Sequence, residues 1–391
     1  MTNEPFVIVG GGIGGLAAAL ALAQQGIASH VLEAGSDFRE IGAGIQLGPN
    51  VFKMFEKLGV TGAVNDVAVF PENLVMRDAL SGALVTRVPL NKTFRDRYGY
   101  PYGVIHRADI HGVLLDACRQ SGRVELSAGR KVIGYEDHGD HVIVQCEQGP
   151  TVRGQAVIGA DGLWSKVRAQ LVGDGKPRVS GHIAYRGVLA TPDVPQHLQS
   201  NDVILWAGPK SHLVQYPLHR GEQYNLVAVF HSRRYEEGWD SYGDPQELRE
   251  HFRDQQPNVL EFLGMVNEWK MWVLCDREPI SRWTEGRAVL LGDAAHPMLQ
   301  YLAQGACMAT EDAVVLAREV AARPNDLPAA FVAYQRQRYL RTTRVQLTAR
   351  VYGDIYHAAD ATRDLRNAML GGRTEEQAIN GMAWLYDGIA V

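Results

Sequence analysis

The chain has 391 residues, 46% of them hydrophobic, with 41 glycines and a formal net charge of −5. This is enough apolar material for two or three cores of ordinary size, and the acid excess argues against general nucleic-acid binding. Cys118, Cys146, Cys275 and Cys307 show neither Cys-x-x-Cys nor a metal-ligand spacing, which points to a reduced, cytoplasmic setting with no metal centre.

The chain is organised from its start. Residues 6–9 form an apolar run without alternation, the pattern of a strand buried on both faces. Gly10-Gly11-Gly12-Ile13-Gly14-Gly15 follows and satisfies Gly-x-Gly-x-x-Gly through Gly10, Gly12 and Gly15. An Ala/Leu-rich helix is predicted over 16–25, Gly26 stops it, and a second strand over 28–32 ends on Glu33. In this order the first glycine makes a tight turn, the second lets a pyrophosphate approach the backbone, and the third lets helix and strand pack closely. The helix N-terminus favours phosphate, and Glu33 can accept from ribose hydroxyls. Residues 6–23 superficially resemble a signal peptide or membrane span. Their clustered glycines and the lack of a basic leader argue against both.

Residues 38–50 are glycine-rich and irregular, a loop expected to return over the ligand, with a helix over 51–58. Residues 74–88 alternate around Ser81-Gly82 as a hairpin, and 106–120 are amphipathic. Short strands are predicted over 124–152. A second buried strand, Ala156-Val157-Ile158-Gly159-Ala160, closes on Asp161-Gly162, with Ser165 and Arg168 following. From 182 to 231 the chain reads as a separate sheet, with helices over 245–254 and 257–265. The first type of strand then returns at 288–291 and runs into Gly292-Asp293-Ala294-Ala295-His296-Pro297, a loop, and a helix over 305–322. Residues 331–368 read as one long helical stretch whose arginines are expected to be solvated or at an interface.

The glycine turn, the Asp161-Gly162 strand end and the Gly292–Pro297 motif together resemble the single-component FAD-dependent aromatic hydroxylases, in the same order along nearly the whole chain. Gln300 stands where many relatives carry proline. With His212 on the substrate sheet, it resembles the 3-hydroxybenzoate 6-hydroxylase branch. The implied fold class is α/β: a Rossmann-type FAD-binding domain (1–73, 104–180, 276–325), interrupted by a β-rich substrate domain (74–103, 181–275) and followed by a C-terminal helical segment (326–391). The resemblance assigns Gly10, Gly12, Gly15 and Glu33 to the adenosine diphosphate. It assigns Arg39, Gln46 and Arg107 to the flavin or its phosphates, a surface ion pair being the alternative for Arg107. It also assigns Asp161 and Gly162 to both FAD and the nicotinamide cofactor, Asp293 to a ribityl hydroxyl, and the helix starting at Gly305 to the flavin pyrimidine edge.

The implied reaction takes hydride from NADH or NADPH. It then moves one oxygen atom of O2, through a flavin hydroperoxide, onto a small aromatic acid. A phenol with pKa near ~10 is a poor ring activator at neutral pH, and a histidine near ~6.5 can take its proton. His212 is the candidate base, its alternative being a strand histidine satisfied by backbone. Tyr216, four residues on and facing the same way, is a substrate contact or a packing residue. Gln300 can hydrogen-bond a phenol. His296 reads as structural, Tyr185-Arg186 carries no assigned role, and Trp206, Trp239 and Trp272 are core or wall residues by default. A homodimer with no nucleic acid, no integral membrane segment and no metal is expected. Alternatives are a salicylate 1-hydroxylase, an isoprenoid-lipid epoxidase or reductase on the same scaffold, and a non-enzymatic flavin binder.

Overall fold

The Phe6–Val9 run lies inside a six-stranded sheet ordered Thr284–Glu285, Ala288–Leu290, Ala156–Gly159, Phe6–Val9, Ser29–Leu32, Val124–Ser127 in the computed structural model, which describes residues 4–39, 42, 44–232 and 241–390. All neighbours pair in parallel except the edge strand Thr284–Glu285. Every residue of Phe6–Val9, Ser29–Leu32 and Ala156–Gly159 is buried, as strands covered on both faces require. Helix Ile13–Gln24 packs directly on the first strand because Gly15 has no side chain: a Cβ there would lie 2.0 Å from the Gly10 carbonyl oxygen. Gly10 itself has φ +105°, a turn that other residues adopt only with strain.

The second sheet has eight strands, ordered Ser241–Tyr242, Lys270–Asp276, Arg178–Ala190, Gln223–His231, Ser211–Leu218, Val203–Gly208, Asn73–Asp78, Leu84–Pro89. The hairpin Asn73–Asp78/Leu84–Pro89 joins it through parallel pairing with Val203–Gly208. Strand alternation divides most of this sheet between two larger cores, with Met76, Val85, Leu205 and Ala207 forming a small third one. Tyr185, Leu213 and Phe230 pack with Leu248, Phe252 and Phe262 of helices Pro245–Phe252 and Pro257–Met265, while Ala184, Tyr216 and Leu218 join the core of the nucleotide sheet. A parallel sheet assembled from three separated stretches and interrupted by a β-rich body is the expected α/β architecture. Among the described residues, no helix is long and apolar enough to cross a membrane.

The C-terminal region departs from expectation in two ways. Helix Leu327–Tyr356 ends at His357, and a separate helix, Asp360–Gly371, begins after a turn in which Asp360 has φ +48°. Tertiary contacts override the continuous helical pattern. His357 is held between two other histidines, and Asp78 of the hairpin accepts from Arg363 and Arg366 of the following helix. The second correction concerns Arg338, which is fully buried rather than solvated and pairs with Glu311 and Asp312.

Candidate active site

A cavity of about 960 Å³ is bordered by both sheets and by the C-terminal helices. Every site residue named from the sequence borders it except Gly15, whose place is the helix–strand contact.

At one end lie Gly10, Gly11 and Gly12. Gly12 is the N-cap of Ile13–Gln24 and offers no side-chain cap, so the first N–H groups of the helix are left for an anion. The Glu33 carboxylate accepts from the Gly11 N–H at 2.8 Å and the Gly35 N–H at 2.6 Å, which fixes it beside the turn. Arg39 is at the mouth, 82% exposed and paired with Asp37 at 2.7 Å. Gln46 Oε1 accepts from the Tyr102 hydroxyl at 2.6 Å, and Arg107 opens helix Arg107–Gln120 at the cavity wall. The Asp161 carboxylate is committed to the protein: it accepts from the Ser165 hydroxyl at 2.5 Å and from the Lys166 N–H at 2.7 Å, at the start of Lys166–Leu171. Burial raises its pKa despite these donors. Gly162 follows it at the cavity edge. Arg168, buried, donates to the Ala294 and Ala295 carbonyls at 3.1 and 2.8 Å, tying this motif to the Gly292–Pro297 loop.

Asp293 lies deep in the molecule with its carboxylate open to the cavity. Burial raises its pKa, while His296 and Arg107 draw it back. The loop that carries it is anchored from below. Asp312 accepts from His296 Nε2 at 2.5 Å, from the Gly292 N–H at 3.1 Å and from Arg338 Nε at 2.6 Å. Glu311 accepts from Arg338 Nη1 at 2.5 Å, Arg341 Nε at 2.8 Å and Asn50 Nδ2 at 2.9 Å. Burial alone would raise both carboxylates, but His296 and Arg338 beside Asp312, and Arg338 and Arg341 beside Glu311, hold them below the ordinary range. These acids lie on Gly305–Ala322, whose N-cap, Gln304, makes no side-chain capping bond. Ala303 just before it sits at φ +52°, strain of the kind that the surrounding structure must hold in place. Gln304, Gly305 and Ala306 all border the cavity.

The other end is set by strand Ser211–Leu218, which turns His212, Val214 and Tyr216 to one face. His212 is 2% exposed, and its Nδ1 is 2.7 Å from His357 Nε2. Burial, with His182 nearby, pushes its pKa down to about 3. Tyr216 is buried against Gly44, and burial raises its pKa. Gln300 Oε1 accepts from Arg186 Nη2 at 2.7 Å, which orients the amide so that its NH2 group remains for a ligand. The Arg186 guanidinium lies 5.2 Å from the Trp272 ring centroid, and burial lowers its pKa. Leu74, Met76, Val203, Leu205 and Val227 add an apolar wall. Trp206 is buried, its indole donating to Gln215, and Trp239 lies outside the described residues.

Sequence reasoning missed Tyr301, His357, Met382 and Tyr386 at or beside this cavity and left Arg186 without a role. A signal for the buried cations was present. Glu311-Asp312 interrupts the apolar first half of its helix, and two buried acids require positive partners.

The residues fit FAD: two helix N-termini without side-chain caps face one cavity, a fixed carboxylate lies beside the first, and the Asp293 carboxyl opens to the cavity near the second. The chain matches the FAD binding domain family over residues 4–346. It is 46% identical to 3-hydroxybenzoate 6-hydroxylase of Polaromonas naphthalenivorans (strain CJ2), covering 98% of this chain and 95% of that one. It is 43% identical to 3-hydroxybenzoate 6-hydroxylase of Klebsiella oxytoca, covering 97% and 96%. The crystal structure of Klebsiella pneumoniae HpxO complexed with FAD and uric acid superposes with a TM-score of 0.86 at 29% identity, covering 98% of this chain and 97% of that one. The chain therefore belongs to the FAD binding domain family, among its FAD-dependent aromatic hydroxylases.

Proposed function

We propose that the protein is a monooxygenase that uses NADH and O2 to hydroxylate 3-hydroxybenzoate para to its phenol, giving 2,5-dihydroxybenzoate. One observation carries this reading. At the substrate end, the inner nitrogen of His212 is occupied by His357 and the oxygen of Gln300 by Arg186, so one acceptor and one donor remain for a ligand beside an apolar wall. That pair suits a phenol: His212 Nε2 accepts its proton and the Gln300 amide donates to its oxygen. Arg186 adds a buried positive charge where phenolate charge develops. The phenolate then feeds electron density to its ortho and para carbons, and the apolar wall holds the ring for attack at the para carbon.

Bound FAD supplies the redox chemistry, accepting hydride from the nicotinamide and activating O2. In this reading the residues assigned to FAD and the nicotinamide from the sequence keep those roles, except that the Asp161 carboxylate acts by anchoring the strand end that carries Gly162. Gly10, Gly12 and the helix N-terminus hold the pyrophosphate, Glu33 the ribose, Asp293 a ribityl hydroxyl, and the Gly305 helix faces the reduced flavin's negative charge. The proposed assembly is a cytoplasmic homodimer. Exposed Leu340, Leu347 and Val351 on Leu327–Tyr356 supply apolar surface for the contact. The test is product identification after purified FAD-loaded protein is incubated with NADH, O2 and each hydroxybenzoate isomer. The expected result is 2,5-dihydroxybenzoate from the 3-isomer, with ligand-stimulated NADH oxidation. Catechol and CO2 from the 2-isomer would replace this reading with salicylate 1-hydroxylation, and NADH oxidation that no isomer stimulates would reject it.

A further inference from the structure

A buried base has to dispose of the proton it takes. His212 is sealed from bulk water, and burial makes its charged form costly, so it is a poor place to store a proton. Its inner nitrogen leads onward. His212 Nδ1 lies 2.7 Å from His357 Nε2, and His357 Nδ1 lies 3.0 Å from His231 Nε2. His357 is 6% exposed and sits at the end of the Leu327–Tyr356 helix, while His231 ends strand Gln223–His231 and is partly exposed. Three imidazoles from three elements thus form one hydrogen-bonded line from the cavity to the end of strand Gln223–His231.

We propose that His212, His357 and His231 form a proton wire that carries the substrate's phenolic proton from the cavity to solvent. The proposal rests on the substrate reading above. In the outward step the O–H bond of the phenol breaks and an N–H bond forms at His212 Nε2. The proton on His212 Nδ1 passes to His357 Nε2, that on His357 Nδ1 passes to His231 Nε2, and His231 Nδ1 releases one to water. One proton enters and one leaves, no electrons change hands, and no buried imidazolium remains. Each ring ends in its other tautomer, and the reverse passage, when the product oxygen is reprotonated, resets all three.

The surroundings support conduction over storage or metal binding. Burial lowers the pKa of His182, His231 and His357, and each of them feels a neighbouring cation or histidine that lowers it further. The groups facing the wire are His182, Tyr301 and Tyr356 near the first two rings, and Lys210, Asp354 and His251 near the last; of these only Asp354 favours a charged His231. Nitrogens of His182, His231 and His357 lie within 4.8 Å of one another, which raises the possibility of a metal tripod. The His182 and His231 rings, however, stack at 4.3 Å with planes 25° apart, so their in-plane lone pairs run side by side instead of converging on an ion. His182 is further tied to the Tyr301 hydroxyl at 2.5 Å.

The test mixes oxidised FAD-loaded protein with 3-hydroxybenzoate in weak buffer containing a pH-indicator dye and follows proton release by stopped flow. Wild type should release a proton in a fast phase. His357→Gln, whose amide can still bridge both neighbours, should bind 3-hydroxybenzoate with the same Kd but release the proton at least about tenfold more slowly, the low end of what a positioned proton-transfer group contributes. His231→Gln, next to water, should slow it less. Release from His357→Gln at the wild-type rate, or wild-type binding with no release, overturns the wire while leaving the substrate reading intact. Wild type that neither binds nor hydroxylates 3-hydroxybenzoate overturns the substrate reading and the wire with it.

Discussion

Two buried clusters of ionisable side chains serve this cavity, one beneath the Gly305–Ala322 helix and one behind the Ser211–Leu218 strand. In the first, Arg338 and Arg341 answer burial by pairing with Glu311 and Asp312 at 2.5–2.8 Å, and His296 is hydrogen-bonded to Asp312. In the second, His212, His357 and His231 answer it by remaining neutral and bonding ring to ring. The difference separates fixation from transfer. A compensated ion pair holds its protons firmly and locks the Asp293 loop to the helix below it. A row of neutral imidazoles has one mobile proton per ring and can pass charge without keeping any.

The comparison breaks most sharply at Arg338. Arg338→Ala leaves Glu311 and Asp312 buried with fewer positive partners, and the loss of one member of such a cluster costs about 3–5 kcal/mol. Urea unfolding should show a drop of that size; a change below ~1 kcal/mol would mean the acids find other compensation. A smaller effect comes from pH. The folded pKa of His212, about 3, lies below the ordinary ~6.5, so the unfolded chain binds more protons between these values. The stability tied to this histidine is complete above pH ~6.5 and falls as pH drops, by about 2 kcal/mol between pH 7 and 5. The lowered carboxylates of Glu311 and Asp312 behave oppositely in range: their contribution is complete above the ordinary carboxylate pKa of ~4 and is lost only below it. Between pH 7 and 5 the Glu311 and Asp312 pair therefore adds no slope, while the lowered histidines pull the unfolding free energy down and the raised carboxyls of Asp161 and Asp293 push it up. Wild type should lose more stability over this range than His212→Asn, and equal slopes would show that His212 is not held neutral.

The same contrast marks what the sequence makes legible. The glycine turn and the strand-end acids Glu33, Asp161 and Asp293 were legible because such features depend on neighbours in the chain: a turn, a helix start, a carboxylate closing a strand. The hairpin over 74–88 was visible for the same reason, as alternation is local. His212 and Gln300 were singled out through family resemblance, since nothing local distinguishes a base from a packed strand histidine. His357 was missed because no proline or glycine directly follows Tyr356 and Gly353 lies inside the last turn; the break is fixed by contacts with residues far away in sequence. Arg338 was misplaced for a related reason: a helical pattern of mixed charge does not show which arginine faces the acids of another helix. Arg186 could be noticed in its motif, but only the fold brings its guanidinium to Gln300.

The most direct test of the account is the ratio of 2,5-dihydroxybenzoate formed to NADH oxidised in His212→Ala, run beside wild type from pH 6 to 9. Substrate binding and flavin reduction need no phenolate, so both should survive the substitution, whereas oxygen transfer should slow by ~10²–10⁴, the usual contribution of a positioned acid–base group. NADH would then be consumed with O2 reduced to H2O2 in place of product, and the ratio should collapse at every pH. A variant that couples NADH oxidation to product as well as wild type would contradict the account and place the ring's activation with a group other than His212.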